Sequence, residues 1–203
     1  KTKGNYIQRY SGKERGWHVL GGLCGLAAVG KGNSAENVKI SNCTVSGYTI
    51  QDNSDKGAYG DSSIGGMFGM STMDLRECTA VNTIIINMTE NNRTESVRVG
   101  GLVGSMRGVI SNCYTGGEIT CTDTCLQKRG TRLMLAGISG GIYIKNQGNL
   151  LELLGNSILG IEGASDDTKK NAEQCKTPTT IIQNCYTYIK MPIDKAKRIT
   201  SIE

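Results

Sequence analysis

The sequence predicts an all-β protein, a right-handed parallel β-helix (β-solenoid) of about four imperfect coils with an insertion in the last repeat. Three observations carry this prediction. A glycine-led block recurs along the chain, as GGLCG at Gly21, GGMFG at Gly65, GGLVG at Gly100 and GGIYI at Gly140. Downstream of each copy stands an apolar residue, two polar residues and a cysteine, at Cys43, Cys78, Cys113 and Cys185. Their spacings of 35, 35 and 72 residues are one, one and about two periods, the last lengthened by the insertion. Finally, the apolar runs between glycines are short, and short strands repeated at a fixed period bury their side chains only by stacking on neighbouring copies.

Taken in order, residues 1–20 read as an N-terminal lead-in or cap. Residues 21–190 form the repeat region, with copies near 21–50, 65–88, 100–120 and 140–190, and 191–203 a C-terminal connector. The third copy is the cleanest. Val97, Val99 and the GGLVG run give a first short strand, Val109 and Ile110 a second, and residues 113–120 a third. On a straight strand, an inward Cys113 would put Ser111 inward and Ile110 outward. The counterparts of Ser111 are Ser41, Arg76 and Gln183, poor core residues, whereas those of Ile110 are Ile40, Leu75 and Ile182. A corner just before the cysteine removes the conflict. Asn42, Asn112 and Asn184 stand there, and asparagine tolerates a left-handed backbone. Glu77 breaks this pattern in the second copy and predicts a bulge or looser bend.

The four cysteines then form an interior ladder, one rung per coil and roughly 4.8 Å apart, where a free thiol behaves as a small hydrophobe. Parallel side chains on adjacent rungs seldom meet the torsional demand of a disulfide. Cys24, Cys121, Cys125 and Cys175 lie off the ladder. Cys121 and Cys125 are spaced to bridge each other, or one of them Cys175, in an oxidising compartment. Zinc is disfavoured there because no histidine is near.

Between copies, residues 51–62, 90–96 and 122–132 read as polar connections, and 145–178 as the larger insertion. Its Leu150, Leu151, Leu153, Leu154, Ile158 and Ile161 fit either one amphipathic helix or two short strands. Covering the apolar end of the stack is its expected role, a binding lobe the alternative.

Composition excludes several functions. Net charge is +5, and the first fifteen residues supply most of it through Lys1, Lys3, Arg9, Lys13 and Arg15 against Glu14. The remainder is nearly neutral, which argues against a nucleic-acid face. No apolar run suffices for a membrane span or signal peptide, and a start at Lys1 reads as part of a longer protein. The glycine pairs lack the GK[ST] and helix start of a phosphate loop. His18, the single histidine, stands beside Trp17 with no nucleophile placed near it in sequence, and reads as structural; no HExxH occurs. Carbohydrate-cleaving solenoids need exposed paired carboxylates. Asp52, Asp55 and Asp61 are the candidates, but they fall in one connection rather than on neighbouring coils. No catalytic residue, metal ligand or cofactor is therefore assigned. An even cysteine count of eight and sequons at Asn42, Asn87 and Asn92 are compatible with secretion.

GGL-x-G, a glycine-bearing turn, I-x-N-C-Y and a closing glycine followed by x-I/V together resemble the GLUG repeat of bacterial surface and secreted proteins. The third copy matches nearly throughout, the second loses the asparagine to Glu77, and the fourth has Ile144 in place of the last glycine of its GGIYI block and carries the long insertion. That resemblance implies an extracellular or cell-surface location and a non-catalytic, adhesin-like structural or interaction module of a larger protein. Its expected partners are a host or matrix protein or glycan and other domains of the parent chain. The alternatives are an accessory, substrate-positioning domain of a secreted hydrolase such as an IgA-specific metallopeptidase, and a carbohydrate-active β-helix enzyme.

Overall fold

The computed structural model describes residues 2–3, 6–11, 18–28, 38–54, 59–88, 93–122, 132–141 and 180–192. Among these residues the regular structure is entirely β, and every strand pairing is parallel.

Two strands come first, β1 (Thr2–Lys3) and β2 (Tyr6–Ser11). A four-strand unit follows, β3 (His18–Gly21), β4 (Cys24–Ala27), β5 (Lys39–Ser41) and β6 (Thr44–Ser54). The second unit is β7 (Tyr59–Gly65), β8 (Phe68–Ser71), β9 (Asp74–Arg76) and β10 (Thr79–Met88). The third is β11 (Arg93–Gly100), β12 (Val103–Met106), β13 (Val109–Ser111) and β14 (Tyr114–Cys121). The fourth has β15 (Arg132–Ala136), an isolated bridge from Ser139 to Val103, β16 (Ile181–Gln183) and β17 (Tyr186–Lys190).

Each of the first three units gives one strand to each of the stacked sheets, and the fourth gives three strands and the Ser139 bridge. The sheet orders are β15-β11-β7-β3, β12-β8-β4, β16-β13-β9-β5 and β1-β6-β10-β14-β17, with β2 also on β6. The repeat therefore has four strands where the sequence suggested three, because the glycine pair divides the first run. A Cβ on Gly65 or Gly100 would collide with the carbonyl of Phe68 or Val103, and one on Gly66 or Gly101 with that of Gly101 or Gly137 in the next unit. The third glycine of the block is equally confined: Gly69 lies against the Leu20 amide and Gly104 against that of Ile64. The GG-x-x-G pattern thus marks a bend packed backbone on backbone. Main-chain bonding continues through it, with Gly66 N–H donating to Gly100 and Met67 N–H to Leu102, at 3.2 and 2.9 Å.

Register corrects the fourth copy. Gly100 pairs with Ala136, so the matching block is Ala136-Gly137-Ile138-Ser139-Gly140, and not GGIYI at Gly140. Alanine at the first position hid it. Two of the expected connections are also largely strand: β6 runs to Ser54, β7 starts at Tyr59, and β11 starts at Arg93. Several of their polar residues, Asp52, Ser62 and Ser96 among them, are buried on these strands, and composition alone does not separate such positions from loops. The 145–178 insertion and most of 122–132 lie outside the described residues.

At the corners, φ is 56° at Asn42, 53° at Asn112 and 52° at Asn184, and Glu77 adopts the same left-handed backbone at 53°. No looser bend replaces the corner at Glu77; the stacking of neighbours imposes it. This turn lets Ile110 and Cys113, three residues apart, both point inward, while Asn112 is exposed.

Side chains fill two cores. One gathers Met67, Leu75, Cys78, Leu102, Ile110 and Cys113, among others, and the second Ile50, Ile64, Ile84, Ile86, Val97, Val99 and Ile119. Columns of like residues build both, as in Ile40–Leu75–Ile110–Ile182 and Leu20–Ile64–Val99–Leu135.

Candidate functional site

The cysteine column follows from the corners. Each thiol comes one residue after the left-handed position and turns back over it. Sγ of Cys43, Cys78, Cys113 and Cys185 lies 3.4, 3.2, 3.2 and 3.3 Å from the carbonyl oxygen two residues earlier. Three of them also approach a carbonyl of the preceding unit: Cys78 that of Ile40, Cys113 that of Leu75 and Cys185 that of Ile110, at 3.6 to 3.7 Å. Main-chain bonds join the levels, Thr79 N–H donating to Cys43, Tyr114 to Cys78 and Tyr186 to Cys113. Cys78 and Cys113 are fully buried, whereas Cys43 and Cys185, at the two ends, are half-buried.

Cysteine does more here than fill space, because a thiol is long enough to add a weak second hydrogen bond to corner carbonyls, those of Arg76, Ser111 and Gln183 already accepting a main-chain N–H from the preceding unit. Its chemistry is divided between rungs, since the hydrogen bond with Cys113 lowers the buried Cys78 thiol to about 6. The hydrogen bond with Cys78, and burial after it, push the Cys113 thiol above its ordinary range. Burial, with Cys78 adding to it, raises Cys43. A nucleophilic cysteine needs an accessible thiolate; Cys43 and Cys113 are held as thiols, and Cys78 is completely buried. Cys24, Cys43, Cys78, Cys113 and Cys185 are unbridged. Among the described residues no group of three or more histidine, cysteine, aspartate or glutamate side chains is placed to hold a metal ion.

Of the proposed disulfide set, Cys121 is half-buried at the end of β14 and packs on the second core. Cys125 and Cys175 lie outside the described residues. Neither Asp52 nor Asp61 stands on an open face. Asp52 points inward on β6, opposite Ile86, and is 2% exposed. Asp61 is mostly covered, accepting a 2.5 Å hydrogen bond from Ser96 Oγ and a 3.2 Å one from Arg98 Nη1, its ion-pair partner. Asp55 is outside the described residues.

Sequence reasoning passed over the exposed aromatic edge formed by the fourth unit. Tyr186 and Tyr188 are 67% and 77% exposed, and Tyr114, Ile181 and Ile182 are also open. The rings of Tyr114 and Tyr186 stack at 6.1 Å with an 11° interplanar angle. Beside them Thr83, Gly117, Glu118, Tyr188, Lys190 and Met191 line an open depression. Glu118 and Lys190 meet across it at 3.5 Å, a surface pair of small energetic worth. The available signal was the alternation in YTYIK, which places Tyr186 and Tyr188 on one face of β17.

No helix among the described residues is long and apolar enough to cross a membrane. No known family profile, curated protein or solved structure matches the chain.

Proposed function

We propose that the stacked parallel sheets form a right-handed parallel β-helix of about four coils. We further propose that this rod is a non-catalytic structural and interaction module, of the GLUG kind, within a larger bacterial cell-surface or secreted protein. The observation that carries the reading is the four-sheet register, in which each unit lies on the last through main-chain hydrogen bonds and matched side-chain columns. Such a stack is quasi-one-dimensional and resists bending because every layer is tied to the next. The confined thiols and the covered carboxylates support a construction role over catalysis. The exposed face of Tyr114, Tyr186 and Tyr188 supplies amphipathic rings of the type enriched where proteins meet partners, and suits a host or matrix protein or a glycan.

Antibodies raised against the isolated chain test the location on intact cells of the bacterium that makes the parent protein. Surface labelling, lost after brief protease shaving, is expected. Signal confined to the cytosolic fraction would overturn the reading. Fold and function separate cleanly in this test, since far-ultraviolet circular dichroism of the same purified chain must be β-dominated; a helical spectrum removes the β-helix itself.

A further inference from the structure

The second core is apolar in its later units but takes in polar groups at its N-terminal end, beside Leu20, Ile50 and Ile64. His18 on β3 and Ser62 on β7 are register partners, on the same strand face as Leu20 and Ile64. In the next two units this column holds Val97 and Leu133. Ser62 is completely buried, and neither its Oγ nor the buried Nε2 of His18 has a hydrogen-bond partner. Two orphaned polar atoms thus stand on adjacent strands, where the repeat elsewhere places hydrocarbon. Across the interior, the inward Asp52 replaces an apolar residue in the column of Ile86.

Buried polar atoms without partners are rare because desolvation is not recovered. A serine hydroxyl donates and accepts, while a neutral imidazole nitrogen does one or the other according to tautomer. One imidazole and one hydroxyl are too few as a ligand set for a zinc or calcium ion. A water molecule matches them, since it supplies either hydrogen-bonding sense to both. We propose that His18 Nε2 and Ser62 Oγ form an internal water-binding site between β3 and β7, in which one ordered water bridges the imidazole and the hydroxyl. The site hydrates one column, His18–Ser62, beside the hydrocarbon column of Leu20 and Ile64.

A high-resolution crystal structure of the whole chain, paired with water-selective NMR on isotopically labelled protein, tests this. The single histidine makes the imidazole resonances unambiguous. The expected result is an ordered water peak within hydrogen-bonding distance of both atoms, with a cross-peak from long-lived water to the His18 ring. Ser62→Val, which copies the neighbouring Val97, should lose both signals while keeping the wild-type amide spectrum; Ser62→Ala serves if valine disturbs folding. A dry site, a direct His18–Ser62 hydrogen bond, or a water signal unchanged in the folded Ser62 variant would each overturn the proposal.

Discussion

Glu77 occupies a left-handed backbone position that the other three units give to asparagine, and nothing in its side chain favours it there. A left-handed backbone costs an ordinary L-residue about 1–2 kcal/mol, while glycine loses roughly 0.5–1 kcal/mol in added unfolded-state freedom. Glu77→Gly should therefore stabilise by about 0.5–1 kcal/mol, read as a higher urea midpoint at unchanged slope. A lower midpoint would show that the glutamate is selected by something other than its corner. Adjacent glycines give a sharper contrast. Gly117 combines φ of 107° with a Cβ direction blocked by the Asn82 backbone, whereas a Cβ on Gly116 meets only the tip of Tyr114, at 3.1 Å. Gly117→Ala should cost roughly 1–3 kcal/mol and Gly116→Ala less than about 0.5 kcal/mol. Equal losses in denaturant unfolding would contradict the close approach at Gly117.

Within the long strands, Asn82 holds an irregularity in place. β6 carries one residue more than β10 between Ser46 and Thr49, and Gly47 takes φ of 77° in the bulge. Asn82 fills the gap: its Oδ1 accepts from Tyr48 N–H at 3.0 Å and its Nδ2 donates to the Gly66 carbonyl at 2.7 Å. Asn82→Ala strands both main-chain groups in a buried place, and a loss of roughly 2–4 kcal/mol follows from the cost of unsatisfied groups. A near-neutral variant would mean that the bulge closes without it. The cysteine column predicts a difference in reactivity between elements. Near neutral pH, iodoacetamide should modify the exposed Cys24 promptly and Cys113 only after denaturant is added, as followed by peptide mass spectrometry. Prompt labelling of Cys113 in folded protein would place the column at the surface.

Across the whole molecule, stability is set by position along the stack. Ile110 and Ile182 belong to one column, yet Ile110 is buried between two units and Ile182, on the last, is 48% exposed. Ile110→Ala should cost about 2–5 kcal/mol, and Ile182→Ala less than half of that, in equilibrium unfolding by guanidinium. Comparable losses would indicate that β16 is covered in solution. Contacts separated by about one repeat also mean that each sheet closes long loops before it gains its bonds, which makes folding slow relative to helical proteins of similar length.

Periodicity in the sequence was enough for the repeat, the strand class, the inward cysteines and the asparagine corners, because each depends on a local rule: glycine where backbones touch, asparagine where φ is positive, alternating apolar residues where a face is buried. The fourth glycine block escaped notice because Ala136 holds a position in which only the next layer reveals the equivalence. Residues near Asp52 and Asp61 looked like loop because polar composition does not distinguish a strand position from a turn. Only the tertiary structure decided that each repeat bends into four strands, that Glu77 must obey its neighbours, and that His18 faces Ser62. Those outcomes depend on pairing across roughly 35 residues or more, where one unit's backbone fixes the geometry of the next.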